Sequence, residues 1–380
     1  MIDFSLSKSQ LELVAKYKDF AERVIKPVRE KYDISGEFPW EVIKKAYDEG
    51  LMNSQIAKEY GGEGLDIFDA ALGTEEFGAV CAGIGISLDA TMLALTPWVI
   101  SANPDQLKRF MGRLNEEKGA AAYCLTEPNA GSDVANIKSN AIKKGDKYIL
   151  NGHKRFITNA EAATYLTVFA QADPERGARS LSCFVVPTDL PGVEILPRLD
   201  KMGQRGSVQN EIKFHDVEVP VENLLGREGE GFLIGMKTFD RTRTGIAALS
   251  VGIARAALET SLNWAKNRIQ FGAPVTANQG VSFMLAEMAT KVELARLMTW
   301  KAAWYYEQGL KNPGTYSAMA KYYASDVAMQ VTTDAVQVMG GDGYTRSFGV
   351  EKMMRDAKLC QIYEGTNQVQ RLVISKGILK

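Results

Sequence analysis

The chain has 380 residues, 46% hydrophobic and 24% charged, enough for roughly two or three cores, which excludes disorder, collagen-like repeats and mini-protein scaffolds. Forty-five Lys and Arg against 46 Asp and Glu leave a formal charge of -1, so no global field draws the protein to nucleic acid or to an anionic membrane.

From Leu6 to about Gly119 apolar residues recur at helical spacing, as in Leu11, Val14, Ala15 and the run Phe20 to Val24. Gly36, Gly50, the run Gly61-Gly62-Glu63-Gly64 and Pro104 punctuate it, so residues 1–119 read as an N-terminal domain of short helices. Between 120 and 227 the helical period gives way to short runs: Tyr148 to Leu150, Tyr165 to Ala170, Ser182 to Val186 and Glu211 to Val219. Glu211 to His215 alternates polar and apolar, and Pro174, Gly177, Pro187, Pro191-Gly192 and Gly203 leave no room for helices between the runs. A middle antiparallel, barrel-like β domain is expected. Residues 228–380 return to longer helices, a C-terminal four-helix bundle, making the whole an α+β fold that is mainly α. There Leu285, Met288, Val292, Ala295 and Thr299 form one stripe, and Met284, Leu294, Leu297 and Met298 widen it beyond one face, as suits a helix inside a bundle or between copies of the chain.

No stretch reaches the roughly 18 to 20 apolar residues of a membrane span. The opening MIDFSLSKSQ has neither a signal peptide's apolar run nor an Arg-rich transit pattern, so a cytoplasmic protein is expected. Cys81, Cys124, Cys183 and Cys360 are scattered singly and read as free thiols in a reducing compartment. His153 and His215 have no Cys or His at ligand spacing, so no metal site is expected, and they leave little room for a Ser-His hydrolase.

Neither the dinucleotide fingerprint GxGxxG after a strand nor the phosphate loop is present. Tyr123 to Val134 gathers hydroxyls and turn residues where the helical zone meets the β zone; Ser132 or Asp133 caps a helical turn there, which either closes a plain turn or offers amides to a phosphate. Phe156 and Thr158 stand at i and i+2, on one face of a strand, as a core pair or as a wall for a flat heterocycle. Gln337 to Tyr344 is a helix end with a Gly turn. Glu364 precedes Gly365, a residue without a side chain, so its carboxylate stands in a crevice or at the surface before a helix capped by Thr366 or Asn367 and carrying Val369, Leu372 and Val373.

Seven segments in order, YCLTEPNAGSDV, FITN, DRTR, NRIQFG, QGVSFMLAEMA, QVMGGDGY and IYEGTNQVQR, make the sequence resemble the acyl-CoA dehydrogenases over nearly its whole length. The resemblance implies FAD between the β domain and the C-terminal helices, oxidation of an acyl-CoA thioester to its 2-enoyl-CoA, and electron-transfer flavoprotein as the acceptor. Tyr123, Leu125, Thr126 and Ser132 match the loop at the flavin and its phosphates, and Phe156 and Thr158 match the strand against the ring, where many members carry Trp in place of Phe156. Arg268, Gln270 and Phe271 match residues that reach a neighbouring subunit's FAD, Gln337, Gly340 and Gly341 match a second such contact, and Thr366 and Gln368 match contacts near the adenosine end; together they imply a homotetramer. Asp240, Arg243, Tyr363 and Gly365, with Ser132 and Glu364, match substrate contacts.

Glu364 matches the family's catalytic base, while Thr242, where some relatives carry the base, has no carboxylate. Asp89, within Leu88 to Met92, falls where the family lines the acyl end of the pocket. It is either a helix residue facing solvent or a polar floor that disfavours a long apolar chain, invites a short, polar or cyclic acyl group, and offers a second base for ring-directed desaturation. A family-derived acyl-CoA-binding scaffold without turnover is the alternative from another class, and retention of Glu364 argues against it.

Overall fold

Side-chain caps start three of the N-terminal helices. The computed structural model describes residues 4–379. Ser7 and Gln10 close a reciprocal capping box at the head of α1 (Lys8–Phe20), and α2 (Arg29–Ser35) ends at Gly36, which takes a left-handed φ of 66° that costs glycine little. After α3 (Trp40–Asp48), the Asp66 side chain accepts from the Asp69 amide and opens α4 (Ile67–Ser101). A second capping box, Asn103 with Gln106, and Pro104 at the first position open α5 (Pro104–Glu116).

The α4 span covers 35 residues, but it is two helices joined across a kink at Cys81, where φ -162° and ψ 103° are non-helical; the second of them, residues 82–101, is longer than the short helices expected. Its glycines are contact points rather than breaks. A Cβ on Gly78 would lie 2.5 Å from the Leu249 carbonyl oxygen of the next long helix, and one on Gly252 of that helix 2.2 Å from the Glu75 carbonyl oxygen.

The middle segment folds into β1 (Ala120–Cys124), β2 (Asn140–Lys144), β3 (Lys147–Thr158), β4 (Ala163–Gln171), β5 (Leu181–Pro187), β6 (Val193–Ile195), β7 (Gln209–Pro220) and β8 (Leu224–Leu225), one sheet in the order β6-β7-β3-β2-β4-β5-β8 with β1 on β4. All four expected strand runs lie in it. The sheet is mixed rather than antiparallel, and its hydrogen-bonded path has ends at β6 and β8 rather than closing. β1 pairs parallel with β4, and β2 touches β4 in parallel at Asn140 and Gln171. The β2–β3 hairpin between β1 and β4 returns the chain to its starting end, so β4 must run in the direction of β1.

The C-terminal part comprises α6 (Gly231–Asn267), a small hairpin of β9 (Ile269–Gln270) and β10 (Ala273–Pro274), α7 (Gln279–Glu307), α8 (Pro313–Met339), α9 (Gly341–Tyr344), α10 (Val350–Cys360) and α11 (Asn367–Ile378). α6, α7 and α8 pack together, α10 and α11 lie on α8, and α4 lies along α6. The expected α7 stripe is buried in this core, whereas Phe283, Leu294 and Trp304 of the same helix are half or more exposed. All four cysteines are free and buried.

Contrary to the sequence expectation, α4 and α6 are by length and composition apolar enough to cross a membrane. The share of each apolar window buried inside the molecule, 78% for α4 and 67% for α6, shows what that apolarity serves here: the two helices are the centre of the core. Because they touch through backbone, Gly252→Ala has no space for its methyl group. It is expected to lower unfolding stability by about 1–3 kcal/mol, measured by chemical denaturation.

Candidate active site

A cavity of about 900 Å³ opens where α4, α6, the sheet and the turn between α10 and α11 meet. Glu364 sits in that turn with φ 53°, a left-handed conformation strained for a residue with a Cβ, followed by Gly365 at φ 88°. Three side chains hold the turn. Gln370 Nε2 donates to the Glu364 and Gly365 carbonyl oxygens at 3.0 and 2.7 Å, Lys321 Nζ to the Gly365 carbonyl at 2.8 Å, and Arg243 Nε to the Glu364 carbonyl at 3.4 Å. Thr366 caps α11 by accepting from the Val369 amide at 3.3 Å. Of the two caps left open by the sequence, Thr366 is the one used.

The Glu364 carboxyl faces the cavity and accepts a hydrogen bond from Thr242 Oγ1 at 2.8 Å. Burial pushes its pKa up from 4.5 to about 7, against the lowering effects of the Thr242 hydroxyl, the Arg243 guanidinium and the Lys321 ammonium. Sequence reasoning saw only that Thr242 is no base. Its role as hydrogen-bond donor to Glu364 comes from the α6 register, which no local pattern signals.

Asp89, on α4, lines the same cavity and does not face solvent. Burial pushes its carboxyl up to about 7, the Thr74 hydroxyl opposes this, and the Glu364 charge adds to it; its Oδ2 has no hydrogen-bond partner. Two carboxyls thus share one cavity. The buried Tyr123 hydroxyl also lacks a partner, its ring held between Phe169 and Phe239 at centroid distances of 5.0 and 5.8 Å.

Leu125, Thr126 and Ser132 line the cavity from the loop after β1. Asp133 precedes the short helical turn Val134–Asn136 but its side chain caps nothing, and neither does Ser132, so that sequence expectation is corrected. The loop is held instead by a buried ion pair that sequence reasoning missed: Lys154 Nζ lies 2.7 Å from Glu127 Oε1 and 3.1 Å from the Leu125 carbonyl, while Glu127 accepts from the Lys138 and Ser139 amides. The signal was a lysine on the strand two residues before Phe156. Phe156 and Thr158 both line the cavity, though not by simple alternation, because β3 bulges between Lys154 and Ile157 and Phe156 takes φ 58°.

Other expected site residues lie elsewhere in the chain. Asp240 is not on the cavity wall; it pairs with Arg243 NH1 at 3.2 Å and abuts Gly314. That pair is no surface salt bridge, since the Arg243 side chain is buried. Arg268, Gln270 and Phe271 stand at the end of α6 and on the following hairpin, with Phe271 fully exposed. Trp264 Nε1 donates to Asp342 at 2.9 Å, drawing the Gln337, Gly340 and Gly341 end of α8 toward Arg268, whose guanidinium lies 6.0 Å from the Trp264 ring. Gln368 is exposed on α11. Tyr363 and Gly365 line the cavity beside Glu364.

The residues present fit FAD. The volume suits a large ligand, the half-exposed Phe156 ring offers a flat apolar wall beside the hydroxyls of Thr126, Ser132 and Thr158, and no metal-ligating cluster exists among the described residues.

Family models for acyl-CoA dehydrogenases match along the chain: the N-terminal domain over residues 7–118, the middle domain over 122–217 and the C-terminal domain over 229–379. The chain belongs to the acyl-CoA dehydrogenase family. A cyclohex-1-ene-1-carbonyl-CoA dehydrogenase of Geobacter metallireducens is 42% identical over 376 residues, 98% of this chain and 99% of the relative. Butyryl-CoA dehydrogenase of Megasphaera elsdenii has the same fold at TM-score 0.96 and 39% identity, with 100% of both chains covered. A chain in a structure described as the electron transferring flavoprotein of Acidaminococcus fermentans matches at TM-score 0.97 and 42% identity, again with 100% of both covered. As a member of this family the protein is an FAD-dependent oxidoreductase.

The raised pKa values carry a stability consequence. Glu364 ionises near 4.5 when unfolded and near 7 when folded, so the folded state loses stability as pH rises through that window. Glu364→Gln, and likewise Asp89→Asn, is expected to raise the thermal midpoint at pH 8 but not at pH 4, with a gain in stability at pH 8 of at most about 3–4 kcal/mol each. Differential scanning calorimetry at the two pH values checks the sign.

Proposed function

We propose that the enzyme oxidises an acyl-CoA thioester to its 2-enoyl-CoA, with Glu364 removing the α-proton. The observation that carries this reading is the Glu364 carboxyl in the cavity wall, basic for a carboxylate yet still supplied with a hydrogen-bond donor. An α-proton next to a thioester is far too weakly acidic for a carboxylate in water. Burial strengthens the base, and donors at the thioester oxygen stabilise the developing enolate. The Glu364 backbone N–H has no acceptor among the described residues, which leaves it free for that oxygen. Bound FAD supplies the acceptor that takes the β-hydrogen as hydride.

Asp89 narrows the substrate. A buried carboxyl without a partner on one oxygen is hostile to a long alkyl chain and favours a short, polar or cyclic acyl group. A second reading has the same observation behind it: ring-directed desaturation with Asp89 as an additional acid or base. An α,β-unsaturated ring acyl group has no α-proton for Glu364 to remove, so a second carboxyl in the cavity serves a C–H farther along the ring. Similarity to the Geobacter enzyme supports this reading, and similarity to butyryl-CoA dehydrogenase supports a short linear chain. Electron-transfer flavoprotein is the proposed acceptor, a partner supported by the Acidaminococcus match. A homotetramer is the proposed assembly. The half-exposed Phe283, Leu294 and Trp304 of α7, and the placement of Arg268, Gln270 and Phe271 away from the cavity, support it.

Purified enzyme is expected to be yellow and to bleach anaerobically with members of a panel of linear, branched, aromatic and alicyclic CoA thioesters. Colourless protein that still binds the esters would favour the scaffold. Glu364→Gln is expected to keep flavin and ligand while bleaching slows by about 10²–10⁴-fold, and full-rate bleaching would remove it as base. Asp89→Asn is expected to shift preference toward longer linear chains and to slow any alicyclic substrate; an unchanged ranking across the panel makes Asp89 structural.

A further inference from the structure

Lys154 and Lys321 are both fully buried. Lys154 has Glu127 as its counter-charge. Lys321, on α8, makes no ion pair among the described residues: its ammonium donates to the Gly365 carbonyl at 2.8 Å and to Asn367 Oδ1 at 3.0 Å, both neutral oxygens. A cation removed from water without a carboxylate partner is costly, and burial pulls its pKa down to about 8. Asn367 is itself tied to Ser325 and Asp326 of α8, so the ammonium sits in a fixed cradle.

The carbonyl that Lys321 holds belongs to the residue after the base. In a trans peptide the C=O and N–H point opposite ways, so drawing the Glu364 and Gly365 carbonyls toward Gln370 and Lys321 turns the Gly365 and Thr366 N–H groups the other way. The positive φ at Glu364, a residue with a Cβ, persists only when the surroundings over-determine it, while Gly365 takes its own at little cost. Arg243 cannot take over as the free charge, because Asp240 already pairs with it.

We propose that Lys321 is a positioning residue for Glu364: it locks the turn through the Gly365 carbonyl and sets an unpaired positive charge behind the carboxylate. This inference rests on the assignment of Glu364 as base. The charged and titratable groups facing this pair are Arg243 from α6, Asp326 on α8, Cys360 from α10, Asp89 from α4, Tyr123 from β1 and Tyr363 in the turn. The Lys321 charge is the contribution that a neutral variant removes while leaving these in place.

The test titrates Glu364 in FAD-loaded enzyme without substrate, by infrared difference spectroscopy of the protonated-carboxyl band that Glu364→Gln abolishes. Lys321→Gln keeps a donor for Gly365 but no charge, and Lys321→Arg keeps both. The glutamine variant is expected to move the Glu364 midpoint upward by roughly half to one pH unit, and the arginine variant to stay at the wild-type midpoint. A wild-type midpoint in the glutamine variant, or the same displacement in both, overturns the proposal. Should the glutamine variant lose its flavin, Lys321→Met is read against the same two outcomes. Failure of the base assignment looks different: Glu364→Gln would then abolish no band or would turn over at the wild-type rate, and this inference would fall with it.

Discussion

A carboxylate that is to take a proton from carbon, the role proposed for Glu364, has to be kept from water, and keeping it from water favours its neutral, useless form. The site is organised around that conflict. Glu364 is buried enough to be basic, and the Thr242 hydroxyl, Arg243 and Lys321 return part of what burial takes from its ionised state. These three come from α6 and α8, so the helical core sets the chemistry as much as the cavity wall does.

The same logic of a buried charge with an assigned neighbour recurs at the loop after β1. Lys154 and Glu127 tie the β1–β2 loop to the bulged end of β3, joining the loop that carries Thr126 to the strand that carries Phe156. Their backbones also meet directly, the Arg155 amide donating to the Thr126 carbonyl at 2.9 Å. Asp89 differs in kind. One of its oxygens is left without a partner inside the protein and stands in the cavity wall.

Much of this was legible in the amino-acid order where a local period or cap carries the information. The α7 stripe, the strand runs from Tyr148 onward and the Thr366 cap each follow from residues a few positions apart. Glu364 was found by its match to the acyl-CoA dehydrogenase pattern, since a Glu before a Gly says little on its own. What stayed hidden depends on distant partners. The close approach of α4 to α6 at Gly78 shows only once the two helices lie together, and parallel pairing of β1 with β4 needs the path of the intervening hairpin. No local pattern signals that Lys321 is buried; its partner carbonyl, Gly365, lies 44 positions away.

The contact of α4 with α6 at Gly78 and Gly252 has a corollary for the cavity. Asp89 lies on α4 beyond the Cys81 kink and Thr242 with Arg243 on α6, and at Gly78 and Gly252 the two elements meet through main-chain atoms. Their spacing is therefore a fixed gauge that point mutations in the wall leave untouched. Within such a frame, a swap at Asp89 changes the lining of the cavity without retooling the contact at Gly78 and Gly252.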